Sequence, residues 1–155
     1  QRFPTIRAIK DWCNDPILHE QHIRELHALD QPVAVLSTHS AWLLSSLVLG
    51  CDGLLSGAGS VVADLHVTIW TAIQTKNLEK AQQLSNRLYH LTHAFYCNPL
   101  LDMHNRMKEA LVLLGRLPAA HVRPPLVRLK SNEVRYIEDQ LELAGINEEK
   151  QNYHH

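Results

Sequence analysis

The first third of the chain alternates short apolar segments with helix-like segments, and this alternation limits the possible folds most. Residues 5–10 (TIRAIK) have the pattern of a short strand, and residues 32–37 (PVAVLS) form a continuous apolar run. Such a run is typical of a strand that is covered on both faces. Residues 53–56 (GLLS) predict a third short strand. A β-α-β-α-β-α order with short links predicts parallel strands with helices packed on them.

Capping residues and glycines predict where the first helices begin and end. The first helix is expected after Asn14 and Asp15, because a capping side chain is followed there by a proline in the first turn. Its apolar stripe is predicted to consist of Ile17, Ile23, Leu26 and Leu29. Residues 40–49 predict a second helix, which Gly50 ends.

The rest of the chain has a helical pattern. Apolar residues three and four apart predict helices over residues 61–75, 78–96, 99–115 and 131–144. Residues 117–130 contain prolines and predict an extended connector. We therefore expect a β/α region over residues 1–76 and a helical region over residues 77–155. Six leucines should be buried together in the helical region: Leu84, Leu88, Leu91, Leu111, Leu113 and Leu114.

Composition and charge exclude several classes of protein. A net charge of −1 provides no basic surface for nucleic acid or an anionic membrane. The longest apolar stretch is interrupted by Asp52, Asp64 and His66, so no membrane span is expected. The cysteines are three in number and widely spaced, which fits neither a disulfide framework nor a zinc site and indicates a reducing cytoplasm.

Several motifs, in their order and spacing, resemble the dihydrodipicolinate synthase and N-acetylneuraminate lyase family. Residues 8–11 (AIKD), 34–37 (AVLS) and 50–57 (GCDGLLSG) are similar to strands six, seven and eight of that family's (β/α)8 barrel. In the helical part, residues 107–111 (MKEAL) and 122–126 (VRPPL) match as well. The resemblance implies the last three β/α units of a TIM barrel in residues 1–76, followed by an all-helical C-terminal region in residues 77–155.

The resemblance implies that Lys10 is the family's imine-forming lysine. The amine attacks a 2-oxo acid such as pyruvate, and the resulting imine is an electron sink for carbon–carbon cleavage or condensation. Attack needs a neutral amine, which burial inside a barrel favours. Active sites of such barrels lie at the C-terminal ends of the strands, where we expect Lys10. This chemistry implies neither a cofactor nor a metal.

Substrate-binding positions follow from the same resemblance. The backbone carbonyl of Leu55 is expected to line the pyruvate pocket, and Ser56 follows it. Thr38, His39 and Ser40 are expected to face the variable part of the substrate. Well-known members commonly carry glycine at the Thr38 position and acidic residues just after it. These departures do not support the dihydrodipicolinate or sialic-acid specificities, and by analogy within the family sugar-derived 2-oxo acids are the expected substrate class.

The family's carboxylate clamp and catalytic tyrosine belong to earlier strands. The tyrosines of this chain fall in helical or tail positions, away from Lys10: Tyr89, Tyr96, Tyr136 and Tyr153. The chain begins with Gln1 rather than Met, so we expect either a removed start or a part of a longer polypeptide. It should be inactive alone, with its strand edges covered by an N-terminal half-barrel or by another copy of the chain, as a homo-oligomer.

Three functions stay open at this point. The first is an aldolase or lyase acting through the Lys10 imine. The second is a dehydratase of a 2-keto-3-deoxy sugar acid on the same scaffold, because the family uses one imine for several outcomes. The third is a non-catalytic half-barrel that serves as an assembly module.

Some histidines and cysteines invite other interpretations. His19 and His22 lie three apart on a predicted helix and could bind zinc, but a solvated outer face is the favoured interpretation. Cys13 and Cys51 are predicted to be buried, inert thiols. His154 and His155 are interpreted as the remainder of a purification tag.

Overall fold

A computed structural model describes Phe3 and residues 5–146 of the chain. Tyr153, His154 and His155, on which the sequence made predictions, lie outside the described residues. Within the described part, three parallel strands form one sheet in the order β1-β2-β3, where β1 is Ala8–Asp11, β2 is Ala34–Ser37 and β3 is Gly53–Leu54.

The predicted order of the strands is confirmed. Lys10 lies one residue before the C-terminal end of β1 and pairs with Leu36 of β2, which in turn pairs with Gly53 of β3. The first strand is shorter than the sequence predicted, because it begins at Ala8 rather than at Thr5.

The helices follow the predicted order with small differences at their ends. The α-helices are α1 Pro16–His27, α2 Leu43–Leu49, α3 Gly59–Gln74, α4 Leu78–Phe95, α5 Met103–Leu113 and α6 Ser131–Leu143. Short 3-10 turns at Ser40–Trp42 and Leu100–Asp102 precede α2 and α5. The predicted helix over residues 99–115 is thus a 3-10 turn followed by a shorter α-helix. No helix in the described part is long and apolar enough to span a membrane.

Local side chains account for the helix ends. The carboxylate of Asp15 accepts hydrogen bonds from the backbone N–H groups of Ile17 and Leu18, which caps α1. The Asn77 side chain accepts from the N–H of Lys80 at the start of α4. Gly50 ends α2 with a φ of +102°, a left-handed conformation that glycine adopts without steric cost.

The predicted apolar stripe of α1 is partly wrong. Ile23 is buried, but Ile17 is 82% exposed and Leu29 is also exposed. The buried side of α1 instead runs through His19 and Ile23, four residues apart on one face. A polar residue holds this place because it reaches Asp11 at the end of β1.

The two sides of the sheet have different surroundings. The outer side, which faces the helices, consists of Ile9, Asp11, Val35, Ser37 and Leu54, and its members are buried or partly buried. The inner side consists of Ala8, Lys10, Ala34, Leu36, Gly53 and Leu55, and its members are exposed or partly exposed. The assignment follows from strand geometry, because successive side chains point to opposite faces.

The helical region shares one hydrophobic core with the outer side of the sheet. Leu84, Leu88, Leu91 and Leu114 are buried as predicted, while Leu111 and Leu113 are partly buried against the same core. Helix α3 packs against α4, and α6 contacts both α4 and α5. This core runs without a break from Val35 to Ile146. The division of the chain at residue 76 stays a prediction.

Candidate active site

A cavity of about 200 Å³ opens at the C-terminal ends of the three strands. Lys10, Thr38 and Gly57 come from the strand ends or the segments that follow them. The opposite wall comes from the end of α4 and from α5, and the full lining is Lys10, Trp12, Thr38, Gly57, Tyr96, Met103, His104 and Met107.

Lys10 reaches this cavity from the inner side of the sheet. Its side chain is exposed in the part of the chain that the structure describes. In the described residues β1 is the edge of a three-stranded sheet, so the burial of Lys10 inside a closed barrel stays a prediction.

Two hydroxyl groups lie buried at the end of β2. Thr38 is 5% exposed and Ser37 is 1% exposed. Neither Thr38 Oγ1 nor Ser37 Oγ has a hydrogen-bond partner among the described residues. Thr38 also lines the cavity, and because buried polar atoms are nearly always paired, its hydroxyl is a candidate partner for a polar group of a ligand.

His39 belongs to an aromatic cluster above the strand ends. Its ring stacks on Trp12 and on Trp42, with centroid distances of 5.0 Å and 4.5 Å. It also lies 4.8 Å from the ring of Tyr96. Burial lowers the pKa of His39, because a charged imidazolium is poorly solvated there. The predicted substrate residue is thus packed between aromatic rings.

A chain of hydrogen bonds leads from the cavity to a buried histidine. The hydroxyl of Tyr96 lies 3.2 Å from Ser56 Oγ, and Ser56 Oγ lies 2.6 Å from Ser40 Oγ. Ser40 Oγ is 3.3 Å from Nε2 of His66 on α3. Burial lowers the pKa of His66 to about 4, so its imidazole is neutral at pH 7. This series of hydrogen bonds can pass a proton from one hydroxyl group to the next without placing a full charge in the core.

The predicted site residues thus either line the cavity or are connected to it by hydrogen bonds. Lys10 and Thr38 share the cavity, while Ser56 and Ser40 connect to it through Tyr96. Leu55 is 52% exposed, and its N–H donates to the Ser37 carbonyl at 2.8 Å. Whether these residues bind substrate stays a prediction.

The predictions from the sequence did not include the contribution of the helical region to this cavity. The expectation that all tyrosines lie away from Lys10 is wrong for Tyr96, which lines the same cavity. Helix α4 contacts the Ser40–Trp42 turn, and this contact carries its C-terminal end to the strand ends. A local pattern holds no sign of it, because Ser56 and Tyr96 are forty residues apart.

A polar cluster lies on the outer side of the sheet, behind Lys10. Oδ2 of Asp11 lies 2.7 Å from Nδ1 of His19 and 2.9 Å from Nδ1 of His22. Burial alone would raise the pKa of Asp11, but hydrogen bonds from His22, His19 and Cys13 outweigh burial and lower it to about 2. The predicted solvated face is wrong for His19, which is 2% exposed.

The cysteines of the two strand ends differ. Cys51 is 3% exposed, as predicted for a buried thiol, whereas Cys13 is only partly buried. Burial raises the pKa of the Cys13 thiol, and its Sγ donates to the carbonyl of Asp15 at 3.2 Å. A raised pKa disfavours the thiolate, so Cys13 is not activated as a nucleophile.

Comparison with known proteins identifies a family for this chain. The model of the dihydrodipicolinate synthetase family matches residues 1–144. A 4-hydroxy-tetrahydrodipicolinate synthase of Prosthecochloris aestuarii is 30% identical over 146 residues, which are 93% of this chain and 46% of the relative. The putative 2-dehydro-3-deoxy-D-gluconate aldolase YagE of Escherichia coli K12 is 28% identical over 78% of this chain and 39% of its own length.

The solved structures show the same fold. The crystal structure of YagE in complex with pyruvate superposes with a TM-score of 0.82 at 24% identity, over 91% of this chain and 47% of the YagE chain. The chain therefore has the fold of about half of a dihydrodipicolinate synthase TIM barrel. It spans about half the length of the curated relatives that it matches, with 46% coverage in the first case.

Proposed function

The chain belongs to the dihydrodipicolinate synthetase family, and from that premise we propose that it is the C-terminal part of a lyase acting on pyruvate or a related 2-oxo acid. Lys10 forms the imine. The observation that carries the proposal is the place of Lys10, which lines a cavity at the C-terminal ends of parallel strands. Catalytic groups of TIM-barrel enzymes come from this end of the barrel.

The chemistry of the reaction fits the groups around the cavity. The amine of Lys10 adds to the carbonyl carbon of the 2-oxo acid to give a carbinolamine. With one proton taken up from solvent, the former carbonyl oxygen leaves as water and the protonated imine remains. Loss of a proton from the neighbouring carbon gives an enamine, which attacks an aldehyde in condensation; in the reverse direction, cleavage of an aldol adduct releases the aldehyde and leaves the enamine. The buried Thr38 Oγ1, which has no hydrogen-bond partner among the described residues, is proposed to bind an oxygen of this substrate.

Tyr96 is proposed to carry the proton of the enamine step. It lines the same cavity as Lys10, and its hydroxyl contacts Ser56 Oγ at 3.2 Å. Ser40 and the neutral His66 continue the hydrogen bonds away from the cavity. A positioned proton-transfer group contributes about 100-fold to 10,000-fold in rate.

The relatives support a 2-oxo acid as substrate. One is named a 4-hydroxy-tetrahydrodipicolinate synthase and another a putative 2-dehydro-3-deoxy-D-gluconate aldolase, and YagE was solved in complex with pyruvate. Aldol cleavage, condensation and dehydration can all begin from one imine, so product analysis with candidate 2-oxo acids distinguishes between them. The setting is proposed to be the cytoplasm, because the cysteines are free thiols.

The chain is proposed to be inactive in full turnover on its own. In the described residues, β1 and β3 are the open edges of the sheet, and Leu55 on its inner side is 52% exposed. These edges are proposed to be covered by the rest of the polypeptide, which supplies the remaining strands, or by a second copy of the chain in a homo-oligomer. Imine formation and proton exchange on the enamine need only Lys10, Tyr96 and their cavity, whereas full turnover needs the complete barrel.

Trapping with borohydride tests the imine. The chain is incubated with pyruvate, reduced with borohydride, digested and analysed by peptide mass spectrometry. The reduced adduct is expected on Lys10 in clear preference to Lys76 and Lys80. Lys10→Arg should lose this adduct, while the matched Lys76→Arg variant should keep it. Equal labelling of all three lysines, or no labelling, would contradict the proposal and favour a non-catalytic assembly module.

Deuterium exchange tests Tyr96 separately. An enamine exchanges the methyl protons of pyruvate with solvent, and NMR in deuterated water follows this exchange. Tyr96→Phe is expected to slow the exchange by about 100-fold or more while borohydride still traps the imine. Tyr89→Phe, on the exposed side of α4, is the control and should exchange at the original rate. An unchanged rate in Tyr96→Phe would remove Tyr96 from the proton path.

A further inference from the structure

Three metal-ligating side chains meet where β1 leads into α1. They are Asp11, Cys13 and His22, and their potential ligand atoms all lie within 4.8 Å of one another. Asp11 ends β1, Cys13 follows in the loop, and His22 lies on the second turn of α1. The cluster lies on the outer side of the sheet, whereas Lys10 lies on the inner side.

We propose that Asp11, Cys13 and His22 bind a zinc ion that joins the end of β1 to α1. The site is separate from the imine cavity, and its existence does not depend on the proposed reaction. An ion at this place fixes the backbone one residue from Lys10. Its role is to position the strand that carries the lysine.

The distance between Asp11 and His22 is close to that of two ligands on one zinc ion, and Cys13 Sγ lies within 4.8 Å of both ligand atoms. Oδ2 of Asp11 and Nδ1 of His22 are 2.9 Å apart. Two ligands about 2.0–2.1 Å from a tetrahedral zinc ion are roughly 3.3 Å apart. A movement of a few tenths of an ångström therefore admits the ion between the two atoms. The ion replaces the proton of the present hydrogen bond.

A second layer of hydrogen bonds already orients the carboxylate. Nδ1 of His19 lies 2.7 Å from Oδ2 of Asp11, and Nε2 of His19 lies 2.6 Å from Ser46 Oγ. Oδ1 of Asp11 accepts from the backbone N–H of Cys13 at 2.9 Å. Side chains that are fixed in this way bind metals more tightly, because less ordering remains to be done on binding.

The set of ligands selects zinc over hard cations. Carboxylate, imidazole and thiolate together suit zinc, whereas calcium and magnesium prefer oxygen ligands alone. His22 and Cys13 are partly exposed, so an ion can enter from solvent. Three protein ligands leave a fourth position for water. On binding, the Cys13 thiol releases its proton to solvent.

Cobalt substitution tests the ligand set by spectroscopy. The protein carries His154→Ala and His155→Ala, so that its terminal histidines cannot bind the metal. Titration with Co²⁺ is expected to saturate at one equivalent and to give a near-ultraviolet band from a cobalt–thiolate bond. His19→Ala should weaken zinc binding by about 10-fold to 100-fold, because its ring orients the Asp11 carboxylate. Cys13→Ser removes a direct ligand, so it should remove the band and weaken zinc binding more than His19→Ala does.

Matched controls come from the same chain. Cys97→Ser removes an exposed thiol, and His27→Asn removes another histidine of α1 that pairs with an aspartate, Asp52. Both variants should bind zinc as tightly as the parent. A cobalt–thiolate band that persists in folded Cys13→Ser, or its loss in Cys97→Ser, would overturn the assignment.

Alkylation of the unsubstituted thiols decides the matter even where a variant fails to fold. Iodoacetamide is added to the protein with and without one equivalent of Zn²⁺, and the peptides are quantified by mass spectrometry. Zinc is expected to slow the labelling of Cys13 by about 10-fold or more, as tight ligation requires. Cys97 should react at the same rate in both samples. Equal labelling of Cys13 with and without zinc would show that no zinc site exists there.

Discussion

The helical region buries its apolar side chains, whereas the inner side of the sheet leaves its apolar side chains exposed or partly exposed. In the helices, Leu91, Phe95 and Leu141 are all 0% exposed. On the inner side of the sheet, Leu55 is 52% exposed, and Leu36 is only partly buried. The same chain thus contains a completed core on the outer side of the sheet and an uncovered surface on the inner side.

This difference separates what the chain stabilises by itself from what needs a partner. A fully buried aliphatic side chain contributes about 1.5–3 kcal/mol relative to an exposed one. The helices obtain this contribution within the chain, and the inner side of the sheet does not. We therefore expect the proposed partner to complete the sheet and its cavity, whereas folding of the chain depends on the helical core.

Paired leucine truncations should show the largest difference between the two regions. Leu91→Ala removes a fully buried side chain and is expected to lower the free energy of unfolding by about 2–5 kcal/mol. Leu55→Ala removes a half-exposed side chain and should change it by less than about 0.5 kcal/mol. Urea denaturation measures both. Equal losses would show that the inner side is already covered in the isolated chain.

The next largest effect is expected from the buried His66 on α3, which should make the free energy of unfolding depend on pH. The folded-state pKa of His66 is about 4, below its usual 6.5, because burial disfavours the charged form. The unfolded chain binds the proton first, so this stability is present above pH 6.5 and is lost as the pH falls toward 4. The whole loss amounts to roughly 3 kcal/mol.

Denaturation at a series of pH values checks this. His66→Gln should flatten the curve between pH 6.5 and 4, and His93→Gln, an exposed histidine of α4, should leave it unchanged. An unchanged slope in His66→Gln would mean that another group titrates in this range.

Asp11 should have a smaller effect on the free energy of unfolding, and this effect should appear at more acidic pH. Its folded-state pKa is about 2, because hydrogen bonds from His22 and His19 outweigh its burial. A lowered acid pKa contributes stability above the unfolded value near 4, and this stability is lost as the pH falls from 4 to 2. Asp11→Asn should lower the free energy of unfolding at pH 7 by roughly 2 kcal/mol. Asp30→Asn, at an exposed position, is the control.

A charge on the inner side should alter assembly with hardly any change in stability. Leu55→Asp is expected to change the free energy of unfolding by less than about 0.5 kcal/mol and to prevent association of the chain through that surface. Val67→Asp places the same charge at a similarly exposed position on α3, 60% exposed against 52% for Leu55. Sedimentation velocity should show association in the Val67 variant alone; association of both variants would contradict an inner-side interface.

Local sequence signals were sufficient for much of the fold. The alternation of strand-like and helix-like segments predicted the parallel strands, and Asp15 and Gly50 marked helix ends correctly. The position of Lys10 at its strand end followed from the same pattern. These features depend on residues that are close in sequence, which periodicity and capping describe well.

Long-range contacts were beyond such signals. The approach of Tyr96 to Lys10 depends on how α4 packs over the strand ends, and no pattern within α4 encodes it. The burial of His19 in place of Ile17 depends on Asp11, eight residues earlier in another element. In α1 a polar contact across elements decided which face of the helix is buried, whereas hydrophobic periodicity alone predicted a different face.

Size-exclusion chromatography with light scattering, combined with a turnover assay on the eluted protein, tests the central claim most directly. An incomplete barrel with two open strand edges should elute as associated species larger than one chain. It should show no turnover of a pyruvate-derived substrate. A single-chain monomer that unfolds cooperatively on heating and turns over such a substrate would contradict the account.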